Sequence, residues 1–392
     1  MENKKIIDLL VLQITNNQFK GYDPYDIKGK KFFLNMLKNQ KDSFYKKLVF
    51  EGIDNFPKIS RKLFKVEASI NAKAMGLFLT SFVKLYIITK DEKYYKNALK
   101  VAKWLEHNYS KGYSGMCWGY PFDWQSVIFI PQGTPSSVVS YHVGEGFYEL
   151  YKLTKNKKYL DICDSICQFY MNDLNIKEFN NETICFSYTP LDKYEVNNAN
   201  LFVAAFLIMI GHEINNPVYV DYGLRAARFT KNEQNYNGSI LYWSKRSRIK
   251  NFMDHYHTGF EIRMLYIISQ YFDEFEESWQ RYYNFYREHF FEENAVKIKP
   301  NTLYPINIHG CAEAILCTSS INEVFDEKFI QNIIDWVNKK MLYKKYKYRY
   351  MIKKYNKFEY KINISYIRWG TAWMLRALSE FEYRLYQRRE NK

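Results

Sequence analysis

The sequence is poor in residues that turn a chain. Glycine occurs 16 times and proline 9 times in 392 residues, about half their usual combined share of about 12 %. An all-β sandwich or barrel, with its many tight turns, is excluded, as is a collagen-like chain. Cysteine is scarce too. Cys117, Cys163, Cys167, Cys185, Cys311 and Cys317 are scattered along the chain, too thinly for a disulfide-built scaffold. Long apolar runs are missing: the longest stretch, 199–211, interrupted only by Asn200, predicts a buried helix, because about 20 residues are needed to cross a bilayer. The N-terminal apolar stretch is broken by Asp8 and no small-residue cleavage site follows, so no export signal is read there. A cytoplasmic protein with reduced thiols and no membrane span is expected.

What is present is a large apolar fraction, 47 %, with 36 Tyr and 29 Phe, and a net charge of +15. The apolar share is ample for a core and excludes a disordered chain. The positive charge points to an anionic partner or to a well-solvated surface. Length alone favours two or three domains, but an internal repeat overrides that prior. KYYKNALKVAKWL (93–105) is echoed at 158–170, 218–229, 278–290 and 328–341. The anchors are Tyr94, Tyr159, Tyr219, Trp279 and Phe329, at intervals of roughly 60 residues. Four positions on stand Ala98, Cys163, Gly223, Tyr283 and Ile333, a spacing that marks one helix face. Each copy follows a more apolar segment: 72–89, 141–153, 198–212, 258–271 and 310–319, with a sixth at 370–386. Segments apolar all round are helices covered on both sides, and their amphipathic partners lie outside.

Six inner and five outer helices predict an all-α (α/α)6 toroid that takes up the whole chain, 1–392. Helices near 5–15 and 31–45, within a 1–60 N-terminal segment, are expected to close the ring. The connections into the inner helices alternate apolar and polar residues, so short β-hairpins are expected at the funnel mouth. The longest, 343–367, reads as a basic hairpin insertion. It holds Lys344, Lys345, Lys347, Arg349, Lys353, Lys354, Lys357 and Lys361 among tyrosines, and turns near Asn356. A wet hairpin face explains those lysines better than nucleic-acid binding.

Loops on a rigid scaffold carry function, so candidate residues are sought there. MDHYHTGFE (253–261) is the densest cluster. Tyr256, His257 and Asp254 are read as acid–base residues, with His255 and Glu261 beside the substrate. CWGYPFDWQ (117–125) offers Trp118, Tyr120 and Trp124 as faces for sugar rings and Asp123 and Gln125 for hydroxyls, with Asp123 a further catalytic candidate. Tyr188, Asn197, Asn198, Asn200, Tyr242, His309, Arg368 and Trp369 stand at or near other inner-helix starts and are read as substrate-binding. No glycine-rich phosphate loop occurs, and Cys163 and Cys167 match the core positions Ala98 and Ala102. No metal or cofactor is expected.

Several segments resemble a known family in the right order. EASINAKAMGLFLTSFVKLYIITKDEKYYKNALKVAKWL (67–105) resembles the first helical pair of the C-terminal domain of D-glucuronyl C5-epimerases. GTPSSVVSYHVGEGFYELYKLT (133–154) is similar to that family's TPSS segment, and DHYHTGFEIRMLYIIS (254–269) to its Tyr-His-Thr motif. The likeness covers roughly 67–270. It implies a carbohydrate-active toroid, with Tyr256 matching the family's tyrosine acid/base. The place of the family's Glu-Tyr pair reads Phe129-Ile130-Pro131-Gln132. The whole chain also resembles toroid proteins of bacterial surface-polysaccharide clusters, through WGYPFDWQ and CFSYTP. Cys117, His309 and Cys311 are similar in type to the zinc ligands of lanthionine-synthetase-like toroids, but their order differs. The resemblance implies bacterial polysaccharide biosynthesis on an anionic, uronate-type oligo- or polysaccharide, by Tyr/His chemistry of the C5-epimerase or lyase kind. A glycoside hydrolase using Asp123 and Asp254, and a non-catalytic polysaccharide-binding or assembly protein, are the alternatives.

Overall fold

A computed structural model describes residues 2–38, 44–344 and 346–390. Lys345 and part of the expected helix 31–45 lie outside the described residues. The helices in chain order are α1 (Glu2–Asn16), α2 (Lys31–Lys38), α3 (Phe44–Asn55), α4 (Pro57–Leu63), α5 (Ala72–Thr89), α6 (Glu92–His107), α7 (Ser137–Thr154), α8 (Lys157–Asp173), α9 (Asn197–Glu213), α10 (Pro217–Asn232), α11 (His255–Ser269), α12 (Glu276–His289), α13 (Ile308–Ser320), α14 (Glu327–Met341) and α15 (Trp373–Glu390). The expected toroid is the fold found. α5, α7, α9, α11, α13 and α15 each pack on the next, and α15 packs back on α5. α6, α8, α10, α12 and α14 lie outside their partners, and α1 covers α15 as the sixth outer helix.

The sequence explains these roles. In α9 every residue from Asn197 to Ile208 is buried, so the helix sits between ring and outer layer. In α6 only the Tyr94, Ala98, Val101, Ala102 and Leu105 stripe is buried, the pattern of a helix with one wet face. α5 is long and apolar enough to cross a membrane by length and composition, but most of it is buried inside the ring. Close approach fixes α5 against α7: a Cβ on Gly76 would lie 2.4 Å from the His142 carbonyl oxygen.

Of the expected N-terminal helices, α1 closes the ring and α2 does not. α2–α4 fold apart from the ring around Ile27, Phe33, Ile53 and Val66, and α2 lies against Trp124–Gln125. The basic insertion holds an antiparallel hairpin of Met351–Tyr355 and Phe358–Ile362, with Asn356 in its two-residue turn at φ 52°. Its outer strand is short of the expected start, because Leu342–Tyr343 pairs separately with Lys347–Tyr348. Met351 and Ile352 also pair with Asn307 and Ile306, joining the hairpin to the start of α13. Small hairpins form at Trp124–Gln125 with Phe129–Ile130 and at Ile176–Asn180 with Thr183–Phe186. The 238–243 segment makes only a single bridge, Val196 to Trp243.

Candidate active site

All six inner segments begin at one end of the ring, and their starts are built alike. Asn71, Ser136, Asp254 and Asn307 cap α5, α7, α11 and α13 by accepting bonds from backbone amides one turn in, which satisfies donors the helix leaves free. Val196 precedes α9, and Tyr366 precedes a π-helical turn, Ile367–Ala372, that leads into α15. Two residues past these positions stand Lys73, Val138, Asn198, Tyr256, His309 and Arg368. All six line one cavity of about 260 Å³. Trp124, Tyr188, Tyr242, Tyr25, Tyr120 and Trp369 wall it with aromatic faces.

Asp254 does two jobs with one carboxylate. Oδ1 accepts the His257 backbone amide at 3.0 Å and Oδ2 meets His257 Nδ1 at 2.9 Å. A proton on Nδ1 leaves the lone pair on Nε2, the form a general base requires. The Tyr256 ring lies 4.3 Å from the His257 ring and stacks on His309 at 4.4 Å and 6°. Burial pushes the Tyr256 phenol well above its ordinary range, so it is a proton donor at neutral pH. Burial, with Lys73 and Arg368 nearby, holds His309 well below the ordinary histidine range, and neither of its ring nitrogens has a partner. Arg368 is tied by two bonds, 2.6 and 2.8 Å, to Asp23. Trp369 Nε1 donates to Asn307 Oδ1 at 3.0 Å.

Tyr120, Trp124, Tyr188, Asn198, Tyr242, Tyr256, His257, His309, Arg368 and Trp369 are thus brought together, with Asp254 behind His257. Other expected site residues are not. Trp118 is a core residue whose Nε1 donates to the Leu105 carbonyl. Asn200 is used up by Phe186, Ala226 and Thr230, and Asn197 Nδ2 donates to Leu241. His255 Nδ1 donates to the Lys297 carbonyl and Nε2 accepts from Tyr286, which pins α11 to its outer partner. Glu261 accepts from Tyr282 at 2.6 Å, so it faces the outer helix rather than the cavity. Asp123 accepts the Gln132 amide at 2.7 Å, and Gln125 Nε2 donates to Ser126. Neither lines the cavity. Among the described residues no carboxylate does, so the pair Asp123 and Asp254 is not set up to flank a glycosidic bond.

Sequence reasoning passed over Lys73, Tyr25, Phe252 and Phe260, all of which line the cavity. The signal for Lys73 was there: it follows its cap Asn71 by two residues, as His309 follows Asn307.

No family model and no curated protein sequence matches the chain. Solved structures do. A cellobiose 2-epimerase from Bacillus thermoamylovorans is 12 % identical, covers 83 % of this chain and 90 % of its own, and has a TM-score of 0.60. A GH76 α-mannanase from Bacteroides thetaiotaomicron is 11 % identical, with 83 % and 89 % covered and a TM-score of 0.59. A polysaccharide lyase is 12 % identical, with 100 % and 99 % covered and a TM-score of 0.57. At these identities the likeness is one of fold. The chain has the (α/α)6 toroid fold that these carbohydrate-active enzymes share.

Proposed function

We propose that the cavity is the active site of a carbohydrate-active enzyme that moves a proton on an acidic, uronate-type glycan, in bacterial polysaccharide biosynthesis. The observation that carries this reading is the Asp254–His257 pair beside a phenol kept protonated by burial. His257 Nε2 takes the proton at the carbon next to the sugar carboxylate, and Asp254 stabilises the imidazolium that forms. Tyr256 supplies a proton in return. Delivered to the same carbon, it completes an epimerisation. Delivered to the leaving oxygen at the neighbouring carbon, it completes an elimination. The aromatic walls suit sugar rings, whose C–H faces stack on flat apolar surfaces. The six unpaired, buried thiols go with a cytoplasmic place of action.

The test is uptake of solvent deuterium into uronate-containing polymers, followed by NMR. We expect uptake with the wild type and its loss in His257→Gln and Tyr256→Phe. No uptake across the panel, with both variants binding and turning over like wild type, would sink the reading. A second reading, a non-catalytic binding or assembly protein, is favoured by Phe129-Ile130-Pro131-Gln132 standing where the resembled family has its Glu-Tyr pair. Tight binding of an intact polymer without exchange would select it.

A further inference from the structure

Lys73 is a cavity residue that the proton chemistry above leaves idle. It holds the position in α5 that Tyr256, His309 and Arg368 hold in their own segments. The residue is 3 % exposed, and its ammonium lies 5.5 Å from the Phe260 ring and 5.3 Å from the Trp373 ring. The charged and titratable groups around it come from every neighbouring element. The segment before α2 supplies Asp23, the turn into α15 Arg368, and α11 Arg263. His309 and Glu313 come from α13 and His142 from α7; Glu145 of α7 stands beside His142, and Arg376 of α15 beside Glu145.

The carboxylates in this group are already taken. Asp23 holds Arg368 at 2.6 and 2.8 Å, Glu313 holds Arg263 at 2.7 and 3.3 Å, and Glu145 holds Arg376 at 3.0 Å. Both histidines are kept neutral by burial, His142 down to about 3. Among the described residues Lys73 therefore has no carboxylate of its own. Two more groups at the cavity want a partner: Oδ1 of Asn198 and both ring nitrogens of His309. The starts of the inner helices add positive potential at the same end. Charge on an isolated buried amine is costly, and the cost is relieved when an anion comes to it.

We propose that Lys73 seats a carboxylate of the sugar ligand on the aromatic floor of the cavity. The proposal deepens the glycan reading and rests on it. Burial, with Arg368 and Arg263 close by, holds the free amine well below the ordinary lysine range. An anion beside it restores the charge. The carboxylate then binds with uptake of a proton wherever the pH lies between the free and occupied values, so affinity falls as pH rises.

The experiment is calorimetric titration of the whole protein with D-glucuronate and D-galacturonate, and with D-glucose and D-galactose as neutral counterparts. Two buffers of different ionisation enthalpy are used at about pH 8, with repeats near pH 6. We expect the uronates to bind wild type more tightly than the neutral sugars, with uptake of up to one proton. Lys73→Met should weaken uronate binding at least tenfold, abolish the uptake and leave neutral sugars unchanged. The melting temperature of this variant should equal or exceed that of wild type, because a buried amine with no counter-ion is gone. The proposal is overturned if uronates show no advantage over neutral sugars, or if Lys73→Met keeps that advantage. His257→Gln separates the two readings: it should lose deuterium exchange and keep the uronate preference.

Discussion

Asp254 is both the cap of α11 and the partner of His257, so its two tasks can be taken apart. Asparagine keeps an oxygen for the cap but loses the charge that orients and supports the imidazole. Asp254→Asn should leave the melting temperature within a few degrees and lower the exchange rate by about 10²–10⁴-fold. Rate and thermal melt measured on one preparation check it. A second residue-scale prediction concerns pH. Burial lowers His255 to about 4 and His142 to about 3, while an unfolded histidine titrates near 6.5. Both are neutral in the fold and take a proton more readily once unfolded. Their contribution is intact above pH 6.5 and drains away as pH falls toward those values. His255 alone accounts for roughly 3 kcal/mol. Urea unfolding at pH 7 and at pH 5 should show the drop, and equal stability at both would contradict it.

At the scale of elements, the ring depends on how closely α5 and α7 approach. Gly76→Ala sets a Cβ against the His142 backbone, which cannot rotate away, and should cost about 3 kcal/mol of unfolding free energy. Asn307 joins three elements: it caps α13, pairs with Met351 in the hairpin strand, and accepts from Trp369. Asn307→Ala should cost about 1 kcal/mol for the cap and release the Trp369 ring from the cavity wall. A weakened sugar-dependent tryptophan fluorescence change would report that release. The hairpin lysines lie elsewhere. Lys353 donates to Asn55 Oδ1 at 2.8 Å, and Tyr360 donates to the Asn55 carbonyl. The hairpin therefore braces α3, and among the described residues none of its lysines lines the cavity.

At the scale of the whole molecule, closure of the ring is the main event. α1 lays Ile6, Ile7, Leu10, Val11 and Ile14 inward, and only then is α15 covered on its outer side. Deleting residues 2–16 should leave that apolar face bare and yield an aggregating protein or one with a much lower melting temperature, as light scattering and circular dichroism would show. The +15 charge is spread over outer helices. Several of its lysines are spent locally, such as Lys158 on Glu106 and Lys93 on Asp8, and exposed pairs of this kind contribute little. The charge at the cavity is narrower, a matter of Lys73 and the convergent helix starts.

How much of this was legible follows from what each feature depends on. The inner or outer role of the paired helices and the hairpin turn at Asn356 depend on local pattern and could be read directly, whereas α3 and α4 were not foreseen. That Tyr256, His257 and Asp254 stand together was legible as well, because the cap of α11 and these two cavity-lining residues are sequence neighbours within one turn. What the sequence left undecided was direction. Asp123, Glu261, Asn200 and Trp118 have the right chemistry and the right neighbourhood, yet each turns to a backbone or outer-helix partner. Such partners lie many positions away along the chain, and no local spacing reveals them. Lys73 shows the converse. Its position after Asn71 was readable, but its lack of a counter-ion is a property of the ring. The sequence by itself determined the paired ring helices and their buried faces, because these follow from periodicity. Only the tertiary structure decided which polar groups face the cavity and which buried amine is left without a counter-ion, because closing the ring assigns Asp23, Glu313 and Glu145 to arginines from distant elements.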